Sequence, residues 1–186
     1  MAGVTVRQST PVDVAGIQRV ARRGWAAAYG DFLAEGTIDR AMDEWYASER
    51  VREQITRGDV AHFVACETGD VSGSVSGERT DPRAVEEQVV GYVGGGIPDT
   101  NERERGAVWT FYVDPDWWGE GIGTRLFERE LDALRERGAS RVTVRVLAAN
   151  TVGRSFYESQ GFEVAETGED DLFGETRAAV TYARDI

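Results

Sequence analysis

The chain has 186 residues, 41% of them hydrophobic, and a formal net charge of −12. That length and apolar content fit one folded domain over residues 1–186 and exclude a disordered chain. All 21 positive residues are arginines, which excludes lysine Schiff-base chemistry and the lysine of a nucleotide-binding P-loop, while the acidic balance argues against nucleic acid as a partner.

The opening residues, "MAGVTVRQSTPVD", lack the basic-then-apolar plan of a signal peptide, and no run approaches the roughly 18 apolar residues of a membrane span. No membrane partner and a cytoplasmic location are expected. "VTVRQS" (4–9) alternates like a half-buried strand. A helix follows, with Thr10 as N-cap, Pro11 at its first position and an apolar face of Val14, Ile17, Val20 and Ala21, closed by Gly30. "TIDRAMDEWYASERVREQITRG" is a second helical stretch, in one piece or two, ending at Gly58. "AHFVACE" (61–67) is a strand holding the single histidine, His62, and the single cysteine, Cys66. Four strand residues separate them by roughly 13 Å, too far for a nucleophilic pair. So few thiols and imidazoles also exclude a disulfide and leave no metal expected.

Residues 68–87 are polar and glycine-containing and are expected to form a long, mobile insertion. Strands resume at 88–97 and at "AVWTFYV" (107–113). "VDPDWWGEGIGTRLFEREL" then leads into a helix with Ile122, Leu126, Phe127, Leu131 and Leu134 on one side and charges on the other, stopping at Gly138. Next come strand 141–147, a short helix with Asn150 as N-cap and Gly161 past its end, and two final strands. The order β-α-α-β-β-β-α-β-α-β-β argues an α/β (α+β) fold: a mixed sheet of about six to seven strands with about four helices on its faces. The lysine-free, acid-rich composition suggests adaptation to molar salt, where a Debye length of about 3 Å abolishes long-range steering. In dilute buffer the same acidity would draw a cationic acceptor.

Gly119, Gly121 and Gly123 leave bare backbone where a helix begins. A helix N-terminus offers unpaired N–H groups and about half a positive charge, so this stretch either binds a phosphate or makes a tight turn against the sheet. The dinucleotide fingerprint fails, because position 124 is threonine. The pattern V-x-P-x-x-(Arg/Gln)-x-x-G-x-(Gly/Ala) remains, present as Val113, Pro115, Trp118, Gly121 and Gly123 with tryptophan at the Arg/Gln position. Downstream, "NTVGRSFYESQGF" is similar to N-x-x-A-x-x-(Phe/Leu)-Y-x-x-x-G-F, with Gly153 in place of alanine. In both motifs and in element order the chain resembles the GNAT superfamily of N-acetyltransferases.

The resemblance implies acetyl-CoA as co-substrate, a primary amine of a small molecule as acceptor, and direct attack in a ternary complex. Its alternatives are acetylation of a protein or peptide N-terminus, or a non-catalytic acyl-CoA-binding domain. It implies that the glycine-loop strand splays from the next one. Main-chain groups of Phe111, Tyr112 and Val113 would hold the pantetheine arm, and the N–H of Val113 would polarise the thioester. Trp118, Gly119, Glu120, Gly121, Ile122, Gly123 and Thr124 would hold the pyrophosphate. Asn150 would bond the arm or cap its helix, and Tyr157 would be the general acid. Trp25, Tyr29 and Phe32 would wall the acceptor pocket, with Asp43 or Glu44 as cation partners. No base matches the family pattern: Arg145 stands where some relatives carry glutamate, which leaves Glu102, Glu104 or a water chain. A homodimer is an expectation from analogy alone.

Overall fold

The structure, a computed structural model, describes residues 3–68, 87–99 and 104–186. The expected insertion at 68–87 therefore lies outside the described residues except at its two ends. Seven strands form one sheet in the order β1-β2-β3-β4-β5-β7-β6: β1 (Gly3–Gln8), β2 (Val60–Thr68), β3 (Glu87–Gly96), β4 (Arg105–Val113), β5 (Arg141–Leu147), β6 (Glu163–Leu172) and β7 (Glu175–Asp185). Every pair is antiparallel except β4 with β5. Among the described residues there are five α-helices rather than about four: α1 (Val14–Tyr29), α2 (Glu35–Trp45), α3 (Ser48–Thr56), α4 (Ile122–Glu136) and α5 (Thr151–Ser159). The second helical stretch breaks at Tyr46 and Ala47, so α2 and α3 are separate.

Each face of the sheet buries its own core, as a two-sided sheet must. On one face α1, α2 and α3 contribute Ile17, Val20, Trp25, Tyr29, Met42 and Val51, packed on Val64, Tyr92 and Leu147. On the other, Leu126, Phe127, Leu131 and Leu134 of α4 join Phe63, Val93, Val142 and Val144. His62 and Cys66 are ordinary buried strand residues of β2. The His62 Nδ1 lies 2.7 Å from Ser9 Oγ, and burial lowers its pKa to about 4. Burial likewise pushes the Cys66 thiol up to about 11, the opposite of a reactive thiolate.

The apolar side of α4 also holds a charge-bearing residue. Glu130 lies one turn after Leu126 and one turn before Leu134, so helical spacing places it on the buried stripe. It is 0% exposed, and neither carboxylate oxygen has a hydrogen-bond partner. Desolvation raises its pKa to about 8, with Arg137 and Arg129 opposing the shift. This folded value lies above the unfolded one, so stability is fully present below about pH 4.5 and is lost as pH rises toward 8. The slope is roughly 1.4 kcal/mol for each pH unit. Glu130→Gln abolishes that dependence: in urea denaturation at pH 5, 6.5 and 8 its stability advantage over wild type grows at each step.

Candidate functional site

The site begins with a fault in the sheet. Gly94 of β3 faces Thr110 of β4, but Gly95 faces Val108, so Trp109 is an extra residue in β4. Such a bulge bends its strand and raises the local twist. The parallel ladder to β5 runs from Arg105 opposite Arg141 to Val108 opposite Val144 and stops there. Beyond the bulge the two strands diverge. The N–H of Asp114 donates to Val90 O of β3 at 2.8 Å. Alternate residues of an antiparallel strand turn both main-chain groups the same way, so those of Val113 and Phe111 face the gap. Trp118 agrees with this, since its Nε1 donates to Val113 O at 2.9 Å. The main chain of Tyr112 faces β3 instead, leaving only its side chain to reach the gap.

After β4 comes a short 3-10 turn, Pro115–Trp117, capped by Asp114, whose Oδ1 accepts from the Asp116 N–H at 3.2 Å. Gly119 and Gly121 then take φ of 82° and 74°, left-handed values that other residues adopt at a cost of about 1–2 kcal/mol. A Cβ at either would meet nothing within 4 Å, so conformation rather than crowding by protein atoms requires glycine there. Gly123 differs: its Cβ would lie 3.4 Å from the rings of both Phe111 and Phe156. α4 starts at Ile122 with no side-chain cap, leaving its first amides open to an anion.

These parts enclose one cavity of about 480 Å³. Of the residues singled out from the sequence, Phe111, Tyr112, Val113, Trp118, Gly119, Gly121, Ile122, Gly123, Thr124, Asn150, Tyr157 and Tyr29 line it. Glu120, which is exposed, does not. Trp25 is buried between Tyr29 and Trp45, with ring centroids at 4.8 and 5.7 Å, and Phe32 packs edge-on against Tyr29; neither borders the cavity. Asp43 is exposed on α2 and Glu44 pairs there with Arg40 at 2.7 Å. Asn150 Oδ1 accepts from the Gly153 N–H at 2.9 Å, capping α5. A Cβ at 153 would lie 2.9 Å from the Asn150 amide nitrogen.

Tyr157 sits on the buried side of α5 against Phe127, and burial raises its pKa above the usual tyrosine value, keeping the phenol protonated. Tyr29 and Tyr112 pair across the cavity wall, Oη to Oη, at 3.2 Å. Among the described residues no carboxylate or imidazole lines the cavity. Arg145 borders it, but its guanidinium bonds Asp170 Oδ1 at 2.7 Å, Thr181 Oγ1 at 2.9 Å and Glu169 O at 3.2 Å. Glu104 lies at the opposite end of β4 from the glycine loop, within 3.3 Å of Ser140 Oγ, and Glu102 lies outside the described residues. Sequence reasoning passed over Trp109, which is 53% exposed and lines the cavity from the bulge. The run Gly94-Gly95-Gly96 in the facing strand was the available signal, since glycine inside a strand marks a bulge.

Comparison with known proteins gives a consistent picture. A family model described as Acetyltransferase (GNAT) family matches residues 25–162. Over 66 residues the chain is 42% identical to a mycothiol acetyltransferase of Beutenbergia cavernae, which is 36% of this chain and 21% of that protein. Over 53 residues it is 40% identical to a ribosomal protein bS18 alanine N-acetyltransferase of Escherichia coli, 28% of this chain and 36% of that one. The matched stretch thus spans only about a fifth to a third of these curated relatives. Among solved structures, a paia N-acetyltransferase from Thermoplasma acidophilum in complex with coenzyme A superposes with a TM-score of 0.77 at 20% identity, covering 99% of both chains. At that identity the likeness is one of fold.

The loop geometry makes a prediction that needs no ligand. Gly121→Ala places a Cβ in open space on a left-handed backbone, and should lower stability by about 1 kcal/mol through conformation alone. Thermal denaturation of the unliganded protein checks it, with Gly36→Ala, on helical backbone and equally uncrowded, as the control expected to lose nothing.

Proposed function

Because the chain belongs to the acetyltransferase (GNAT) family, we propose that it carries an acetyl group from acetyl-CoA to a primary amine of a small molecule, by direct attack in a ternary complex. In this reading the 186-residue chain works as one domain. The observation that carries it is the meeting of a free strand edge, uncapped helix amides and a protonated phenol in one cavity. The pyrophosphate rests on the first amides of α4, where the helix dipole favours an anion. The pantetheine arm bonds the gap-facing main chain of Phe111 and Val113, extending the sheet across its fault.

The amine nitrogen attacks the thioester carbon, forming the C–N bond while the carbonyl electron pair moves onto oxygen. A gap-facing N–H, that of Val113, stabilises this oxyanion. Collapse breaks the C–S bond and releases a thiolate whose conjugate acid has a pKa of about 8.5. Tyr157, held protonated by burial, donates a hydrogen bond to the sulfur as it leaves and keeps its proton. The acceptor's own proton departs through water.

A second reading, transfer to a protein or peptide N-terminus, is supported by the likeness to the bS18 alanine N-acetyltransferase. An α-amino group with pKa near 8 is about a tenth neutral at pH 7, against roughly one in a thousand or fewer for an alkyl amine, and so depends less on a base. Turnover with a panel of small amines against short peptides separates the two readings.

Calorimetry should give acetyl-CoA affinity on the order of micromolar, abolished in Gly121→Glu. Tyr157→Phe should lower turnover about a hundredfold with little change in that affinity, whereas an acyl-CoA-binding domain without activity would have no turnover to lose. With water as the proton acceptor, kcat/KM should climb about tenfold per pH unit below the acceptor's pKa, with no plateau set by an enzyme group near neutrality.

A further inference from the structure

We propose that Arg23 is a positioning residue for the glycine loop, acting through Asp114 and Asp116 and coupling that loop to the helix that walls the acceptor side. The proposal rests on the acetyltransferase reading, since it assigns a role in holding acetyl-CoA. Arg23 projects from α1, and its Nε donates to Asp114 Oδ1 at 3.0 Å while its Nη2 donates to Asp116 Oδ2 at 2.6 Å. The two carboxylates stand in different surroundings. The Asp114 side chain is 6% exposed and that of Asp116 is 75% exposed.

Asp114 occupies the junction of the site. It follows Val113, whose main chain faces the gap, and its own N–H anchors β4 to Val90 O. Its Oδ1 caps the turn that leads to Gly119 and Gly121. A buried carboxylate needs a cation or donors to be tolerated, and Arg23 supplies the cation. The fork-shaped guanidinium fixes direction as well as charge, because its two donors reach the cap and the middle residue of one turn. The turn is therefore oriented by α1 and not by the sheet alone.

The next residue along α1 makes the connection rigid. A Cβ at Gly24 would lie 2.6 Å from Tyr112 Cδ1, so the helix rides directly on the β4 ring. Five residues further on, Tyr29 borders the cavity and bonds Tyr112. Loop, strand and acceptor-side wall thus share one frame, with Arg23 at the loop end. An exposed ion pair adds little to stability, so the Asp116 half of this clasp is accounted for better by the placement of the loop than by folding.

Calorimetric acetyl-CoA affinity and thermal midpoints would be measured for wild type, Arg23→Gln, Arg23→Lys, Asp116→Asn and the Arg23→Gln/Asp116→Asn pair, with KM and kcat once an acceptor is in hand. Arg23→Gln should weaken acetyl-CoA binding about tenfold, roughly what one charge-assisted hydrogen bond is worth. KM for acetyl-CoA should rise by more than kcat falls. Asp116→Asn should weaken binding about threefold with no shift in midpoint, and the pair should be no worse than Arg23→Gln alone. Arg23→Lys should recover part of the affinity, since it restores charge without the fork. If wild type binds acetyl-CoA and the Asp116 and Arg23 variants bind it equally tightly, or lose affinity only in step with their midpoints, the positioning role is wrong while the acetyltransferase reading stands. If folded wild type binds no acetyl-CoA, that reading fails and this one with it.

Discussion

The extra residue at Trp109 shifts the β3–β4 register by one just where the parallel ladder to β5 ends. A continuous sheet satisfies its own main-chain groups; this one has no strand ladder on the gap side of Phe111 and Val113, where Trp118 Nε1 meets Val113 O, and buried main-chain groups must find partners. The facing glycines make the bulge possible. A Cβ at Gly94 would come within 2.7 Å of His62, at Gly95 within 2.4 Å of Ala107 O, and at Gly96 within 2.8 Å of Asp59 O and the Trp109 ring. With larger residues at these positions β3 could not lie so close to its neighbours. The cavity, the gap-facing edge of Phe111 and Val113 and the direction in which β4 delivers the glycine loop all follow from that one offset.

Around the fault, the two faces of the sheet play different parts. The α4 face is apolar apart from Glu130, with the Phe127 ring in contact with Phe111, Phe156 and Phe162 and Phe111 also meeting Phe156. The α1 face is aromatic but rich in hydroxyls. Tyr29 meets Tyr112, and Tyr46 meets both Trp25 Nε1 and Thr110 Oγ1 at 3.3 Å. Polar tips on large rings let such a wall be nearly dry and still present donors to a bound molecule. Among the described residues the cavity lining holds no carboxylate, so a cation entering it would meet only hydroxyl, amide and main-chain oxygens.

Much of this was readable from the chain. The strands and helices announced themselves because their apolar periods are clean, as in Leu126, Phe127, Leu131 and Leu134 of α4, all buried. Caps were equally legible: Asn150 accepts from the Gly153 N–H, and Gly138 and Gly161 end their helices at positive φ. The sequence misled where a local pattern meets a nonlocal partner. Aromatic spacing on α1 offered Trp25 and Tyr29 equally, and only packing against Trp45 and Tyr46 decides that Trp25 is core. Charge on α4 was expected on one side, yet Glu130 is swallowed by the stripe between two leucines. The loop glycines also divide in a way that spacing cannot show, two lying on left-handed backbone and one at contact distance from two rings. The clasp of Arg23 joins residues 91 and 93 positions apart, beyond the reach of any motif.

The sheet order contains two antiparallel plates. One runs from β1 to β4 and the other holds β5, β7 and β6, and among the described residues the ladder that stitches one to the other is four residue pairs long, from Arg105 to Val108. Each plate is internally zipped by longer ladders, up to nine pairs between β6 and β7. The seam is therefore the compliant line of the molecule, and local opening should begin at the weakest cooperative contact. A molecule lying along the seam and bonding the free edge of β4 acts as a splint across it. Under the proposed function substrate would also be mortar: while bound it would complete the wall between the plates, and each departure of product would leave the joint unfilled until the next molecule arrives.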